Sequence, residues 1–137
     1  MRKKEVKVLL LEDDILEQFR FMKTIEQLAI TAELYIVGDG HEAMNHLERS
    51  KQLPDLILTD LYMPGQNGFE FLKELKANPA LNYIPTIAFT TSNDPEDIRT
   101  CYELGVASYI LKSHSSTQYK STVIQIFKYW KKLIQFK

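Results

Sequence analysis

A chain of 137 residues with a formal net charge of −1, 45% hydrophobic and 26% charged, has the size and mix of one globular domain. That balance excludes a general attraction to nucleic acid or anionic membrane, and no run approaches the roughly 20 apolar residues of a membrane span. A single cysteine, Cys101, cannot form an internal disulfide, which points to a reducing compartment and a cytoplasmic protein.

The first residues, Met1-Arg2-Lys3-Lys4, superficially resemble the charged start of a secretory leader. Lys7 interrupts the apolar run that follows, and Glu12-Asp13-Asp14 closes it too early for a leader core. The run instead predicts a strand over Val6–Glu12. A helix is predicted over Ile15–Leu28, a second strand over Glu33–Val37 and, past the turn at Asp39-Gly40, a helix over His41–Glu48. The third strand, Leu56–Asp60, leads into the loop Pro64-Gly65-Gln66-Asn67-Gly68, whose glycines permit unusual backbone angles. A helix over Gly68–Lys76 stops at Asn78-Pro79, and Pro85 precedes the fourth strand, Thr86–Thr90. Asp94 before Pro95 is an N-cap followed by proline at the first helical position, opening Pro95–Leu104, which Gly105 closes. Ser108–Leu111 is the fifth strand and Thr117–Ile134 the last helix.

The continuous Val/Ile/Leu content suits strands covered on both faces. Five strands alternating with five helices define a three-layer α/β domain with a parallel sheet and right-handed crossovers. The pattern runs from about residue 5 to residue 134 and leaves no stretch for an effector domain, so one domain over 1–137 is expected.

Four polar features end four of these strands: Glu12-Asp13-Asp14, Asp60, Thr90 and Lys112. In a parallel α/β sheet the carboxyl ends of the strands are where ligand sites form. If strands one and three are neighbours, Asp13, Asp14 and Asp60 converge. Clustered carboxylates repel one another unless a cation sits among them, and Mg²⁺, which takes one or two carboxylates plus a phosphate, fits. Asp60 is then nucleophile and metal ligand, and a carboxylate attacking phosphorus is established covalent chemistry. Lys112 supplies a mobile positive charge for phosphoryl oxygens, and Thr90 a hydroxyl donor.

These residues resemble the receiver domain of two-component response regulators, in size the single-domain chemotaxis-regulator type. Thr90 lies 30 residues and Lys112 52 residues beyond Asp60, both family spacings. Asp60-Leu61-Tyr62-Met63-Pro64 with Gly68 matches the family's acceptor loop, and Tyr109, three before Lys112, falls at its aromatic switch position. The resemblance covers nearly the whole chain. It implies a flavodoxin-like doubly wound (βα)5 fold with strand order 2-1-3-4-5. It further implies that Asp60 takes a phosphoryl group from a histidine kinase or histidine phosphotransfer protein. Mg²⁺ or Mn²⁺ would be held by Asp13, Asp14, Asp60 and the Tyr62 backbone carbonyl. Thr90 and Tyr109 would then switch the surface of helix four, strand five and helix five, which meets a partner or a second copy. The chain would catalyse its own phosphorylation and dephosphorylation without being an enzyme on an external metabolite.

The chain departs from the family in places. Ser113 stands where proline usually follows the lysine, often after a cis bond that is costly without proline, so Ser113-His114-Ser115-Ser116 is expected to take its own path. Thr91 replaces a smaller residue and would narrow access to Asp60, while Tyr62 and Ser92 occupy positions that tune dephosphorylation in the family, Tyr62 as a shield against water. These departures keep open a receiver that binds a partner without phosphorylation. An aspartate-nucleophile phosphohydrolase of the haloacid-dehalogenase type also uses Asp, Thr and Lys. It usually carries a second Asp two after the nucleophile and a late acidic pair; here Tyr62 holds that position and the acids come first.

In the last helix Val123, Phe127, Trp130 and Ile134 form the expected core stripe, with Ile126, Tyr129 and Leu133 beside it. Those three either widen the core face or, through Tyr129 with Trp130, mark a partner or homodimer surface. Asn78 to Pro85 and Tyr129-Trp130 also resemble single-domain regulators that partner bacteriophytochrome-type kinases. Lys128, Lys131, Lys132 and Lys137 make the end basic without a nucleic-acid-reading module. His41, His46 and His114 share no spacing and read as surface or capping residues, and Cys101 as a packing residue.

Overall fold

A computed structural model of the chain describes residues 5–134, with side chains through Trp130. Residues 1–4 and 135–137, the latter including Lys137, and the side chains of Lys131, Lys132, Leu133 and Ile134, lie outside the described residues. The element order is β1 (Val6–Leu11), α1 (Ile15–Gln27), β2 (Ala32–Val37), α2 (Gly40–Arg49), β3 (Leu56–Thr59), α3 (Gly68–Lys76), β4 (Thr86–Thr90), α4 (Pro95–Glu103), β5 (Ser108–Leu111) and α5 (Ser116–Ile134). All strand pairs are parallel, in the order β2-β1-β3-β4-β5. None of the described helices is long and apolar enough to cross a membrane.

Alternation along the strands sorts the core onto two faces. Val6, Val8 and Leu10 of β1 and Leu56 and Leu58 of β3 pack with Phe21 and Ile25 of α1 and with Tyr119, Val123, Phe127 and Trp130 of α5. Leu9, Leu11 and Ile57 face the other way, onto Ala43, Met44 and Leu47 of α2 and Phe71 and Leu75 of α3. Cys101 of α4 is buried beside Leu72 and Val106, the packing role expected of it.

Three sequence expectations need correction. Only β1, β3 and β4 are covered on both faces; β2 alternates between half-buried and exposed, and Leu111 of β5 is exposed. Both are edge strands, each with a strand neighbour on one side only. On β2 the exposed Tyr35 ring instead stacks on His46 of α2, centroids 3.8 Å apart, and burial lowers the His46 pKa. Trp130 is core, 1% exposed, so it takes no part in a partner surface; Ile126 is buried as well, while Tyr129 is exposed. Finally, the loop glycines act differently from one another. Gly65 has φ 80°, the left-handed region, whereas Gly68 is needed for space: a Cβ there would run into the Asp60 carbonyl oxygen.

Capping places the helix starts. Asn67 and Glu70 form a reciprocal capping box at α3, and Asp94 caps α4 with Pro95 behind it. At α1 the cap is Asp14, whose side chain accepts from the Leu16 amide at 2.8 Å.

Candidate functional site

The register of the sheet brings the sequence-predicted residues to one end. Leu11 of β1 pairs with Thr59 of β3, so Glu12 and Asp60 emerge side by side, and the Asp60 amide donates to the Leu11 carbonyl at 3.0 Å. On the other side Thr90 pairs with Leu111, and the Lys112 amide donates to the Thr90 carbonyl at 2.7 Å.

Asp60 is held from both sides. Oδ1 accepts from the Leu61 amide at 2.7 Å, and Oδ2 accepts from Lys112 Nζ at 3.1 Å. Its side chain keeps 18% exposure, enough for an incoming group to reach it, while the Lys112 side chain is 5% exposed. Lys112 Nζ also donates to Glu12 Oε1, and Glu12 is itself buried. One ammonium between two carboxylates leaves the inner cluster one negative charge in excess.

The pKa shifts follow from that arrangement. Burial opposes the charge on Lys112, yet Asp60 and Glu12 together overcome it and raise its pKa. Burial raises the Glu12 pKa against the opposing pull of Lys112. Lys112 is therefore a fixed cation, and Glu12 the softer member of the pair.

The remaining predicted residues surround this core. Thr90 is buried, its Oγ1 accepting a long 3.4 Å contact from the Ser92 amide. Asp13 is exposed, and Asp14 is engaged through Oδ1 in capping α1. Among the described residues no three His, Cys, Asp or Glu side chains form a ready metal cluster. The groups at the mouth are nevertheless all oxygen donors of the hard kind that Mg²⁺ or Mn²⁺ selects. Thr91 is exposed. Tyr62, also exposed, donates from its hydroxyl to Asp97 Oδ2 at 2.7 Å, and its pKa is pushed up to about 12, chiefly by that bond. Tyr109 is half-buried and donates from its hydroxyl to the Ser92 carbonyl at 2.7 Å.

Three residues of the neighbourhood escaped the sequence reading as partners. Glu12 was legible in principle, because a buried lysine at a strand end requires a carboxylate and Glu12 closes the adjacent strand. Arg20 was not. Its Nη2 donates to the Ser113 carbonyl at 2.7 Å and its guanidinium lies 3.8 Å from the centre of the Tyr119 ring. That clamp, with Ser113 Oγ donating to Gln118 Oε1 at 2.9 Å, fixes the loop that lacks proline; no cis peptide occurs among the described residues. Asp97, the third, is 35 residues from Tyr62, and nothing local marks the pairing.

A parallel sheet of order 2-1-3-4-5, with an accessible aspartate between an acidic strand end and a buried lysine, defines a class of signalling domain. The chain belongs to the response regulator receiver domain family, whose model matches residues 8–124. It is 34% identical over 128 residues to the response regulator Rcp1 of Synechocystis, covering 90% of this chain and 87% of that protein. It is 33% identical over 127 residues to a probable methanogenesis regulatory protein, FilR2, of Methanothrix harundinacea, covering 90% of this chain and 82% of that one. Among solved structures it resembles the phosphorylated cyanobacterial phytochrome response regulator RcpA, at 33% identity and a TM-score of 0.86 over 93% of this chain and 94% of the other. The Mn²⁺-bound form of Rcp1 matches at 34% identity and a TM-score of 0.82, over 91% and 94%.

Proposed function

We propose that this receiver accepts a phosphoryl group on Asp60 from a phosphohistidine of a histidine kinase or phosphotransfer protein, and signals by protein contact. The observation that carries the reading is the holding of Asp60: one oxygen on the Leu61 amide, the other on a buried lysine, with an open side. Both oxygens are oriented before a donor arrives, which is most of what phosphoryl transfer asks of a protein.

In the step itself an Asp60 carboxylate oxygen attacks phosphorus. The P–O bond forms as the P–N bond to the donor imidazole breaks, and the electron pair returns to that nitrogen, which takes up a proton. Lys112 moves its charge from the Asp60 carboxylate to the phosphoryl oxygens, with Glu12 still paired to its ammonium. Thr90 donates its hydroxyl to the same oxygens. The carboxylates of Asp13 and Asp60 with the Tyr62 carbonyl would hold Mg²⁺ or Mn²⁺, while Asp14 serves as the cap of α1. When bound, the cation neutralises charge on the phosphoryl group and aligns it. The phosphorylated state of RcpA and the Mn²⁺-bound state of Rcp1 support this assignment.

The donor has a place to dock. Ile15, Leu16, Phe19 and Met22 are all exposed on α1, starting one residue beyond the acidic cluster. A donor that delivers phosphate to Asp60 must cover this rim, and exposed apolar side chains there favour contact. The output face is that of α4, β5 and α5, where Tyr102, Leu111 and Tyr129 are exposed and a partner or second copy would bind. The coverage of 87% of Rcp1 and 82% of FilR2 supports reading the 137 residues as one receiver domain.

Intact-protein mass spectrometry after incubation with a small acyl phosphate or phosphoramidate tests the proposal. One phosphoryl adduct is expected, dependent on Mg²⁺ and absent from Asp60→Asn. No adduct in wild type under any condition contradicts it and leaves a phosphorylation-independent binding module.

A further inference from the structure

We propose that Gln18 and Arg20 of α1 are positioning residues that bracket the Glu12–Lys112 pair and so aim the Lys112 ammonium at Asp60. The inference rests on the reading of Asp60 as phosphoacceptor. Gln18 Nε2 donates to the Glu12 carbonyl at 2.7 Å. Arg20 Nη2 donates at 2.7 Å to the carbonyl of Ser113, the residue after Lys112. One helix therefore holds the backbone beside both members of the buried ion pair.

The pitch of α1 makes such a bracket possible. At about 100° per residue, positions 18 and 20 lie on opposite flanks of the helix. Between them on the inner side are the buried Phe21, Thr24 and Ile25, and on the outer side the exposed Ile15, Leu16, Phe19 and Met22. Each flank sends one polar side chain to the site: Gln18 back to the end of β1, Arg20 across to the loop after β5.

Both side chains are half-buried. The Arg20 guanidinium also lies 3.8 Å from the centre of the buried Tyr119 ring, and its Nη1 lies 3.8 Å from Glu17 Oε2. A charged donor on a carbonyl makes a stronger bond than a neutral one, so Arg20 is the firmer arm. At the other arm the Glu12 carboxylate is tied as well: Oε2 accepts the Asp14 amide at 3.1 Å while Oε1 accepts from Lys112 Nζ.

A lysine needs this help. Its ammonium rides on a flexible four-carbon stem and takes its direction from where the backbone and its partners are fixed. The Lys112 amide is bonded to the Thr90 carbonyl at 2.7 Å, and the Arg20 bond falls one residue later, so the stem starts from a segment tied on both sides. The Asp60 contact at 3.1 Å is long for an ammonium on a carboxylate, and a small shift of that segment breaks it. Misplacing a group by about 1 Å beside reacting atoms can cost roughly 100-fold in rate.

The test measures phosphoryl uptake from phosphoramidate at saturating Mg²⁺ in Arg20→Ala and Gln18→Ala, each made also in a Lys112→Ala background. NMR of the Lys112 ammonium reads how fast its protons exchange with water. The expected result is a maximal rate lowered about tenfold in Arg20→Ala and about threefold in Gln18→Ala, at an unchanged half-saturating donor concentration. Ammonium exchange should be faster in both. Neither substitution should slow the Lys112→Ala protein further, because each acts through Lys112. Rate losses that persist in that background, or ammonium exchange equal to wild type, overturn the proposal. Should Arg20→Ala fail to fold, Gln18→Ala alone carries the same two readouts. No adduct in wild type overturns the phosphoacceptor reading instead, and the ammonium signal then decides the bracket by itself.

Discussion

Asp60 and Asp97 stand at the same end of the sheet and are held in opposite ways. Asp60 belongs to an inner cluster, with Lys112 and Glu12, in which largely buried charges face one another directly. Asp97 centres an outer chain whose donors are neutral hydroxyls, one of them on the largely exposed Tyr62. The contrast separates two tasks. A buried ionic cluster is costly to disturb and fixes geometry, whereas a carboxylate held by neutral hydroxyls leaves no unpaired cation or anion behind when one donor is lost.

Breaking the inner cluster gives the largest effect. Lys112→Ala leaves Glu12 buried without its cation and removes the charge meant for the phosphoryl oxygens. Denaturant unfolding at neutral pH is expected to show a loss of about 3–5 kcal/mol. Adduct formation with a small phosphodonor should fall about 100-fold or more. A fully active Lys112→Ala would erase the distinction between the two regions.

Arg20 comes next, because it supports the inner cluster from behind. Arg20→Ala removes the charged bond to the Ser113 carbonyl and the stack on Tyr119. The expected cost is about 1.5–3 kcal/mol, with slower phosphoryl uptake as the loop after Lys112 loosens. Arg20→Lys should recover little of either, since an ammonium does not reproduce the flat guanidinium contact.

Tyr62→Phe probes the outer chain and should cost only about 0.5–1.5 kcal/mol. A loss as large as that of Lys112→Ala would show that the outer chain is as costly to disturb as the inner cluster.

The smallest signal is a trend with pH. Glu12 binds its proton more tightly in the folded chain than in the unfolded one, its pKa raised from 4.5 by burial. Its stabilising contribution is therefore fully present below pH 4.5 and lost as pH rises through the folded value. In metal-free buffer, wild type should lose stability relative to Glu12→Gln as pH rises above 4.5. A difference that grows in the opposite sense would make Glu12 a net ionic stabiliser.

Much of this could be read from the residues alone. Strand ends are short-range signals: an apolar run that stops at Asp60, Thr90 or Lys112 places each residue at the rim of a parallel sheet. Helix boundaries were legible where a cap marks them, as at Asp94-Pro95 and Gly105. The order of the strands came from family resemblance and the register does not follow from any local pattern. Which of Ile126 and Tyr129 turns inward stayed open for the same reason, because the α5 stripe around the expected core residue Trp130 is wide and only packing decides what beside it is buried. Tyr62 with Asp97, and Arg20 with Ser113, are contacts across 35 and 93 residues, made by side chains that would be equally at home in water.

The measurement closest to the central claim is the position of the phosphoryl group. After incubation with a small phosphodonor and Mg²⁺, borohydride reduction converts an aspartyl phosphate to homoserine, which peptide mapping locates. The account predicts homoserine at residue 60 and at no other acidic position. Homoserine at residue 13 or 14, or phosphate that resists reduction on a hydroxyl such as Thr90, would contradict it.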